Sequence, residues 1–226
     1  MKILEGKHLA PATPEVLAAL RHRYDRCLVD IGTGDGLFPY HWAREHPEDL
    51  AVALDPVTTG FAKLAVKARR KLAKGGAPNL LFAAGAVEDL PGPFAGWADL
   101  ITVNFPWGSL MRALVLPVPP VLERIAALAR PDAQIVLLLN TSIFHDSDYL
   151  DRLSLPPLTE ERAREALLPA YAAAGLRIDT VEPLVGAVPH RTSWGQRLVL
   201  GSSRSTLMLR GTRSPEGVLT PQEVRS

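Results

Sequence analysis

The chain has one cysteine, Cys27, among 226 residues. No internal disulfide can form, and the place of Cys27 in an apolar run predicts a buried thiol rather than a reactive nucleophile. A metal signature is also missing, because the six histidines are scattered and have no cysteine partners at ligand spacing. No apolar stretch approaches the roughly 20 residues that cross a bilayer, and the opening Met-Lys-Ile-Leu-Glu-Gly-Lys-His has no signal-peptide core. A cytoplasmic protein with neither metal nor membrane partner is expected. An excess of one charge is lacking too: 25 Lys and Arg face 24 acids, for a net charge of +1. Any surface for nucleic acid must therefore be local. There is no internal repeat and no domain-sized linker. What is present is a composition 47% hydrophobic, enough to fill the core of one sizeable domain.

Cys27 to Gly36 reads Cys-Leu-Val-Asp-Ile-Gly-Thr-Gly-Asp-Gly. The apolar half suits a buried strand, and three glycines spaced by two allow a tight turn and a close approach to a ligand before a helix begins near Phe38. Alone, the glycines fit a plain strand-to-helix turn equally well. Asp55 shifts the balance, because it ends a second apolar run, Leu50 to Leu54, about 20 residues further on. A carboxylate there accepts two hydroxyl hydrogen bonds from a ribose and repels a 2′-phosphate. Asp55-Pro56 also suits a helix N-cap, and both roles are compatible. At the end of a third run, Gly85-Ala86-Val87-Glu88 offers a small residue and an acid to edge an adenine ring, with a simple turn as the plainer reading.

From Thr58 to Lys74, helical spacing puts Phe61, Leu64, Ala65, Ala68 and Leu72 on one face and Lys63, Lys67, Arg70, Lys71 and Lys74 on the other. No acid lies between Lys63 and Lys74. A solvated cationic face is the bland reading. Unrelieved like charges at i,i+4 cost a helix a few tenths of a kcal/mol per pair, so a phosphate-binding face is an equal expectation. A fourth run leads into Asn104-Phe105-Pro106-Trp107-Gly108-Ser109. A proline beside an exposed tryptophan is poor core material and a good rigid platform, although a tryptophan that covers a sheet edge is commoner.

In chain order, residues 1–12 show little periodicity and Thr13-Pro14-Glu15 starts a helix that runs to His22. Strands are expected at 27–31, 50–54, 79–84, 98–103, 134–139, 176–183 and 205–210. Helices are expected at 37–45, 58–74, 159–174 and, once or twice, within 111–129; residues 141–158 form a long connection and 192–198 a short helix. This predicts an α/β fold, a doubly wound, seven-stranded, mostly parallel sheet with an antiparallel edge hairpin. Residues 1–211 would form a single domain with a short N-terminal extension, and 212–226 a disordered tail. The carboxyl ends of the strands would gather Asp30, Thr33, Gly34, Asp55, Pro56, Glu88 and Asn104 in one crevice. A Gly-x-Gly-x-Gly loop suits a cofactor without a pyrophosphate. Together with the reversed edge it favours the class I, Rossmann-like, S-adenosylmethionine-dependent methyltransferases over nicotinamide dehydrogenases.

The sequence resembles the Kam group of aminoglycoside-resistance methyltransferases over nearly the whole ordered chain. The resemblance rests on Val-Asp-Ile-Gly-Thr-Gly-Asp-Gly at 29–36, Val-Ala-Leu-Asp at 52–55, Lys-Gly-Gly-x-Pro-Asn-Leu-Leu at 74–81, Phe-Pro-Trp-Gly-Ser-Leu at 105–110 and Thr-Ser-Trp-x-x-Arg-Leu at 192–198. It departs at 141–158 and 184–191. The resemblance implies methylation of N1 of adenine-1408 in the decoding site of 16S rRNA, in the helix 44 region of the assembled 30S subunit, and aminoglycoside resistance. S-adenosylmethionine would be the cofactor and S-adenosylhomocysteine its product. Gly32, Asp55, Val87, Glu88, Ser109 and Thr192 would line the cofactor, and Trp107 and Trp194 would flank the target base. Lys67, Arg70, Lys71, Arg197 and Arg204 would hold RNA, with Lys63 and Lys74 completing the cationic face. A monomer is expected.

The chemistry agrees with that implication. Neutral adenine N1 carries a lone pair, so attack on a sulfonium methyl needs positioning and no general base. Extruding the base costs a few kcal/mol, and two aromatic faces return about 1–3 kcal/mol each. The Pro106 carbonyl can accept from the exocyclic amine and select adenine over guanine. Two other readings stand beside this one. Asn104-Phe105-Pro106-Trp107 also looks like the Asn-Pro-Pro-Tyr motif of enzymes that methylate exocyclic amines, with Phe105 in place of the first proline. A non-catalytic RNA-binding module is the other; small-molecule methylation leaves the cationic face unexplained.

Overall fold

A computed structural model of the chain describes residues 2–89, 94–141, 155–185 and 205–215. The chain begins with a hairpin, β1 (Lys2–Glu5) and β2 (His8–Pro11), and helix α1 (Pro14–Arg21). Thr13 Oγ1 accepts from Val16 N at 3.4 Å and Pro14 sits in the first turn, which is why the helix starts there. Next come β3 (Arg26–Ile31), α2 (Leu37–Glu45), β4 (Asp49–Asp55), α3 (Ala62–Ala68), β5 (Leu80–Ala84) and β6 (Ala98–Asn104). Helices α4 (Gly108–Val115) and α5 (Pro119–Leu128) lead to β7 (Ala129–Asn140). A last helix, α6, joins Glu160–Arg162, a π-helical turn Ala163–Leu167 and Leu168–Ala173, before β8 (Leu176–Val185) and β9 (Ser205–Arg213).

The sheet order is β2-β1-β5-β4-β3-β6-β7-β9-β8. Strands β3 to β7 run parallel, and β9 inserts antiparallel between β7 and β8. The expected mostly parallel sheet with an antiparallel edge hairpin is thus present. Cores fill both faces: Leu17, Leu114, Leu122 and Tyr171 pack from α1, α4, α5 and α6 on one side. Phe38, Tyr40, Phe61 and Leu64 pack from α2 and α3 on the other.

Three expectations need correction. The sheet has nine strands instead of seven, because the N-terminal extension is a hairpin whose β1 pairs antiparallel with β5, Lys2 opposite Ala84 and Ile3 opposite Ala83. Four-residue strands are too short to show a period, and this pairing joins distant parts of the chain. The expected tail from Thr212 still belongs to β9, where Thr212 pairs with Gln134 and Arg177. Most important, no single helix spans 58–74. α3 stops at Ala68, and only a 3-10 turn, Leu72–Lys74, follows.

Lys63 and Lys67 therefore stand on α3, whereas Arg70, Lys71 and Lys74 stand on the turn beyond it, and Leu72 is 62% exposed instead of buried. Ala77 N donates to Ala68 O at 2.8 Å and closes the excursion. A Cβ on Gly76 would lie 1.8 Å from Arg70 O, so the chain folds back as tightly as glycine allows. Breaking the helix also relieves the i,i+4 repulsion among the cations. The short helix expected at 192–198, and most of the connection at 141–158, lie outside the described residues.

At the amino end of the sheet, Asp99 ties several elements together. Its Oδ2 accepts from Arg21 Nη2 (3.1 Å) and Cys27 N (2.8 Å). Its Oδ1 stands 2.7 Å from Arg130 Nε in a charge contact that is not an aligned hydrogen bond. One buried carboxylate thus joins α1, β3 and β7. The neighbouring Cys27 thiol is pushed up to about 12 by burial, which makes it inert at neutral pH. Asp99→Asn should lower the unfolding free energy by about 2–4 kcal/mol in urea titrations; a change under about 0.5 kcal/mol, the scale of an ordinary surface substitution, would show that the knot is not structural.

Candidate functional site

The carboxyl ends of β3, β4, β5 and β6 open onto a crevice of about 610 Å³. It gathers Asp30, Gly32, Thr33 and Gly34 from β3 and its loop, and Asp55 and Pro56 from the end of β4. Val87 and Glu88 follow β5, and Asn104, Pro106, Trp107 and Ser109 follow β6. All of these were singled out in the sequence. Thr192, Trp194, Arg197 and Arg204 lie outside the described residues. Lys63, Lys67, Arg70, Lys71 and Lys74 do not line the crevice. The turn carrying the last three precedes β5, at the amino end of the sheet, so the seven residues of β4 put it roughly 20 Å from the crevice.

Asp30 is the most constrained group. It is 1% exposed, and it accepts from Thr33 Oγ1 (2.6 Å), Thr102 Oγ1 (2.6 Å) and Asn104 Nδ2 (2.8 Å). Burial pushes its pKa up to about 6; the three hydrogen bonds favour the charged form and limit the rise, and nearby Asp35 adds to it. Near pH 7 the crevice floor therefore holds a mostly ionised carboxylate, a fitting partner for a ligand's ammonium group.

Asp55 is held differently. Its Oδ2 accepts from Gly34 N at 2.9 Å and its Oδ1 from Val57 N at 2.8 Å. Two of the roughly four lone-pair directions of a carboxylate are thereby used, which leaves acceptor capacity for a diol. It does not cap α3, whose N-cap is Phe61. Gly60 was not singled out in the sequence, yet a Cβ there would lie 2.4 Å from Gly34 O. The segment after β4 thus packs directly on the glycine loop. Thr102 was missed as well, and its signal was a lone hydroxyl inside the otherwise apolar run of β6. Val57, 61% exposed, is an unforeseen apolar surface on the rim.

The segment after β6 bends at Phe105, whose φ is +54°. Its ring is buried against Leu138 and Met208, and its N–H donates to Leu138 O at 2.8 Å. Proline is locked near φ −65° and has no N–H, so an Asn-Pro-Pro-Tyr motif cannot make this bend. The bend sets Trp107, 41% exposed, on the crevice rim at the start of α4.

A doubly wound sheet with a ligand crevice at the carboxyl ends and a reversed last strand defines the class I S-adenosylmethionine-dependent methyltransferases. The family model described as NpmA: 16S rRNA (adenine(1408)-N(1))-methyltransferase matches residues 2–213, and the chain belongs to that family. It is 36% identical over 218 residues to the 16S rRNA (adenine(1408)-N(1))-methyltransferase of Streptoalloteichus hindustanus, covering 95% of this chain and 100% of the relative. The solved enzyme of that name from Catenulisporales acidiphilia superposes with a TM-score of 0.86 at 36% identity, covering 95% of this chain and 99% of that one. The 16S rRNA methyltransferase KamB gives the same TM-score and identity, with 95% and 100% covered.

The pH dependence of Asp30 follows from its shift. Its folded pKa exceeds the ordinary 3.8, so the stability it contributes is full below about pH 4 and is lost as pH rises through about 6. Asp30→Asn should gain on the parent chain across that window by at most about 3 kcal/mol, read from melts at matched pH values. A stability difference independent of pH would contradict this account of the site.

Proposed function

We propose that this chain transfers the methyl group of S-adenosylmethionine to N1 of adenine-1408 in 16S rRNA, leaving S-adenosylhomocysteine, and thereby protects the ribosome from aminoglycosides. The observation that carries this reading is the crevice itself, with a buried anion at its floor and a partly exposed tryptophan on its rim. The crevice fits the cofactor: its volume is within the usual range for small-molecule sites, Asp30 suits an ammonium group and Asp55 retains lone pairs for ribose hydroxyls. When bound, the cofactor supplies an electrophilic methyl on sulfonium sulfur. Gly32, Thr33, Gly34 and Pro56 shape the cradle, Val87 and Glu88 edge the adenine ring, and Asn104, Ser109 and Thr192 complete the lining.

The target base enters over Trp107, with Trp194 as the second face and the Pro106 carbonyl accepting from its exocyclic amine. Because N1 offers its own lone pair, no residue has to remove a proton. The methylated ring is cationic, and tryptophan faces favour that charge as it develops. Lys63, Lys67, Arg70, Lys71 and Lys74, with Arg197 and Arg204, bind phosphates of the helix 44 region in the assembled 30S subunit. The distance between crevice and turn suits an extended RNA surface better than a small substrate. We further infer a cytoplasmic monomer without a metal, with residues 2–213 as one methyltransferase unit. The left-handed bend at Phe105 argues against the exocyclic-amine reading, whose motif has proline there.

Trp107→Ala and Trp194→Ala should each reduce methylation of small subunits by at least about a hundredfold, consistent with a few kcal/mol of lost stacking, while S-adenosylmethionine affinity by calorimetry stays within about twofold of the parent. Cofactor affinity falling in step with activity would contradict the sandwich. Lys67→Glu with Lys71→Glu should weaken subunit binding and flatten its log–log salt dependence by about 1.5, again without loss of cofactor affinity.

A further inference from the structure

Tyr40 and Arg44 of α2 hold the chain that connects α3 to β5. Arg44 donates from one nitrogen, Nη1, to both Leu72 O (2.6 Å) and Gly76 O (2.9 Å). Tyr40 Oη donates to Gly75 O at 2.9 Å, and Lys67 Nζ stands 4.7 Å from the centre of the Tyr40 ring. The segment also closes on itself, through Lys74 N to Lys71 O (2.7 Å), Gly75 N to Leu72 O (3.1 Å) and Gly76 N to Lys71 O (3.0 Å). The carbonyls of Lys71, Leu72, Gly75 and Gly76 are thus satisfied from within the protein. The side chains of Arg70, Lys71, Leu72 and Lys74 are all exposed.

Leu72, 62% exposed, lies among the exposed cations Arg70, Lys71 and Lys74. A rigid turn that offers an apolar group among cations matches a surface whose charge is negative and whose grooves present sugar faces. RNA has that surface: its shallow minor groove exposes ribose between phosphate rows. We propose that, within this cationic turn, Leu72 is an apolar contact to the RNA and Arg44 is the positioning residue that holds residues 71–76 in shape. This rests on the reading of the chain as a 16S rRNA methyltransferase and extends it to how the substrate is held far from the reacting base.

Leu72→Ala should weaken small-subunit binding roughly three- to tenfold without changing its salt slope, because no counterion-releasing contact is lost. Arg44→Ala should raise the KM for subunits by a similar factor and leave kcat unchanged. Arg44→Gln loses the charge but keeps one nitrogen with two N–H groups for the two carbonyls, so it should recover part of the parental KM. A salt slope flattened by Arg44→Ala would make Arg44 a phosphate contact and overturn its positioning role; parental binding by Leu72→Ala would overturn the apolar contact. Leu72→Ala alters only a surface side chain and keeps the test decisive if Arg44→Ala lowers stability. A photo-crosslinking residue, Leu72→p-benzoylphenylalanine, should label rRNA, and labelling of a ribosomal protein instead would overturn the assignment to RNA. The Lys67→Glu, Lys71→Glu pair separates the two failures. If that pair leaves subunit binding intact, the RNA reading of the whole surface fails. If it weakens binding while the Leu72 and Arg44 variants behave as the parent, only the present inference fails.

Discussion

A buried carboxylate that accepts three side-chain hydrogen bonds holds the crevice in shape. Asp30 is the penultimate residue of β3, Thr33 belongs to the glycine loop, and Thr102 and Asn104 come from β6. The loop and the neighbouring strand are therefore fixed to the same two oxygens. Burying that charge costs stability near neutral pH. Among the described residues no cation pairs with this carboxylate, so a cationic ligand group would recover part of that cost. Asp55 plays the complementary part from β4, holding Gly34 N and Val57 N and bracing the loop from the other side. Catalytic groups in the acid–base sense are not required, because the proposed nucleophile needs no deprotonation and the work falls on positioning.

The bend at Phe105 separates the floor of the crevice from its rim. Its ring is anchored beneath the sheet by Leu138 and Met208, which turns the next residues outward over the crevice. A left-handed phenylalanine is strained by the order of 1–3 kcal/mol, and the buried ring with its N–H bond to Leu138 O offsets that strain. Trp107 thereby reaches the rim of a cavity whose floor is organised by Asp30. At the opposite end of the sheet, the clamped turn after α3 belongs to the same face of the molecule as α2, the helix that begins at the glycine loop. One helix thus links the glycine loop at its start with the clamped turn at its end.

The sequence made the alternating pattern, the glycine loop and the bounds of α2 legible, because each is a local signal: apolar runs, glycine spacing and an N-terminal turn. Strand-end residues Asp55, Glu88 and Trp107 could be placed together because strand ends converge in a doubly wound sheet. The N-terminal hairpin was not legible, since β1 is held by pairing with β5 about 80 residues away. The break in the cationic helix was hidden by Leu72, which continues the apolar period of Leu64 and Ala68 yet points to solvent. What ends the helix is the return of Ala77 to Ala68 O, the close passage of Gly76 and the grip of Arg44. All three are contacts between separated residues and leave no periodic trace. Thr102 was overlooked because its importance depends on Asp30, 72 residues earlier in the chain.

The central claim is that this crevice methylates N1 of one adenine in the small ribosomal subunit. The most direct measurement is incubation of isolated small subunits with the protein and labelled S-adenosylmethionine, followed by reverse transcription across 16S rRNA. The account predicts label in the RNA and a single new stop at adenine-1408, because a methyl on N1 blocks Watson–Crick pairing. Label without a stop at that position would point to an exocyclic amine, and absence of label would point to a binding module; either result contradicts the account.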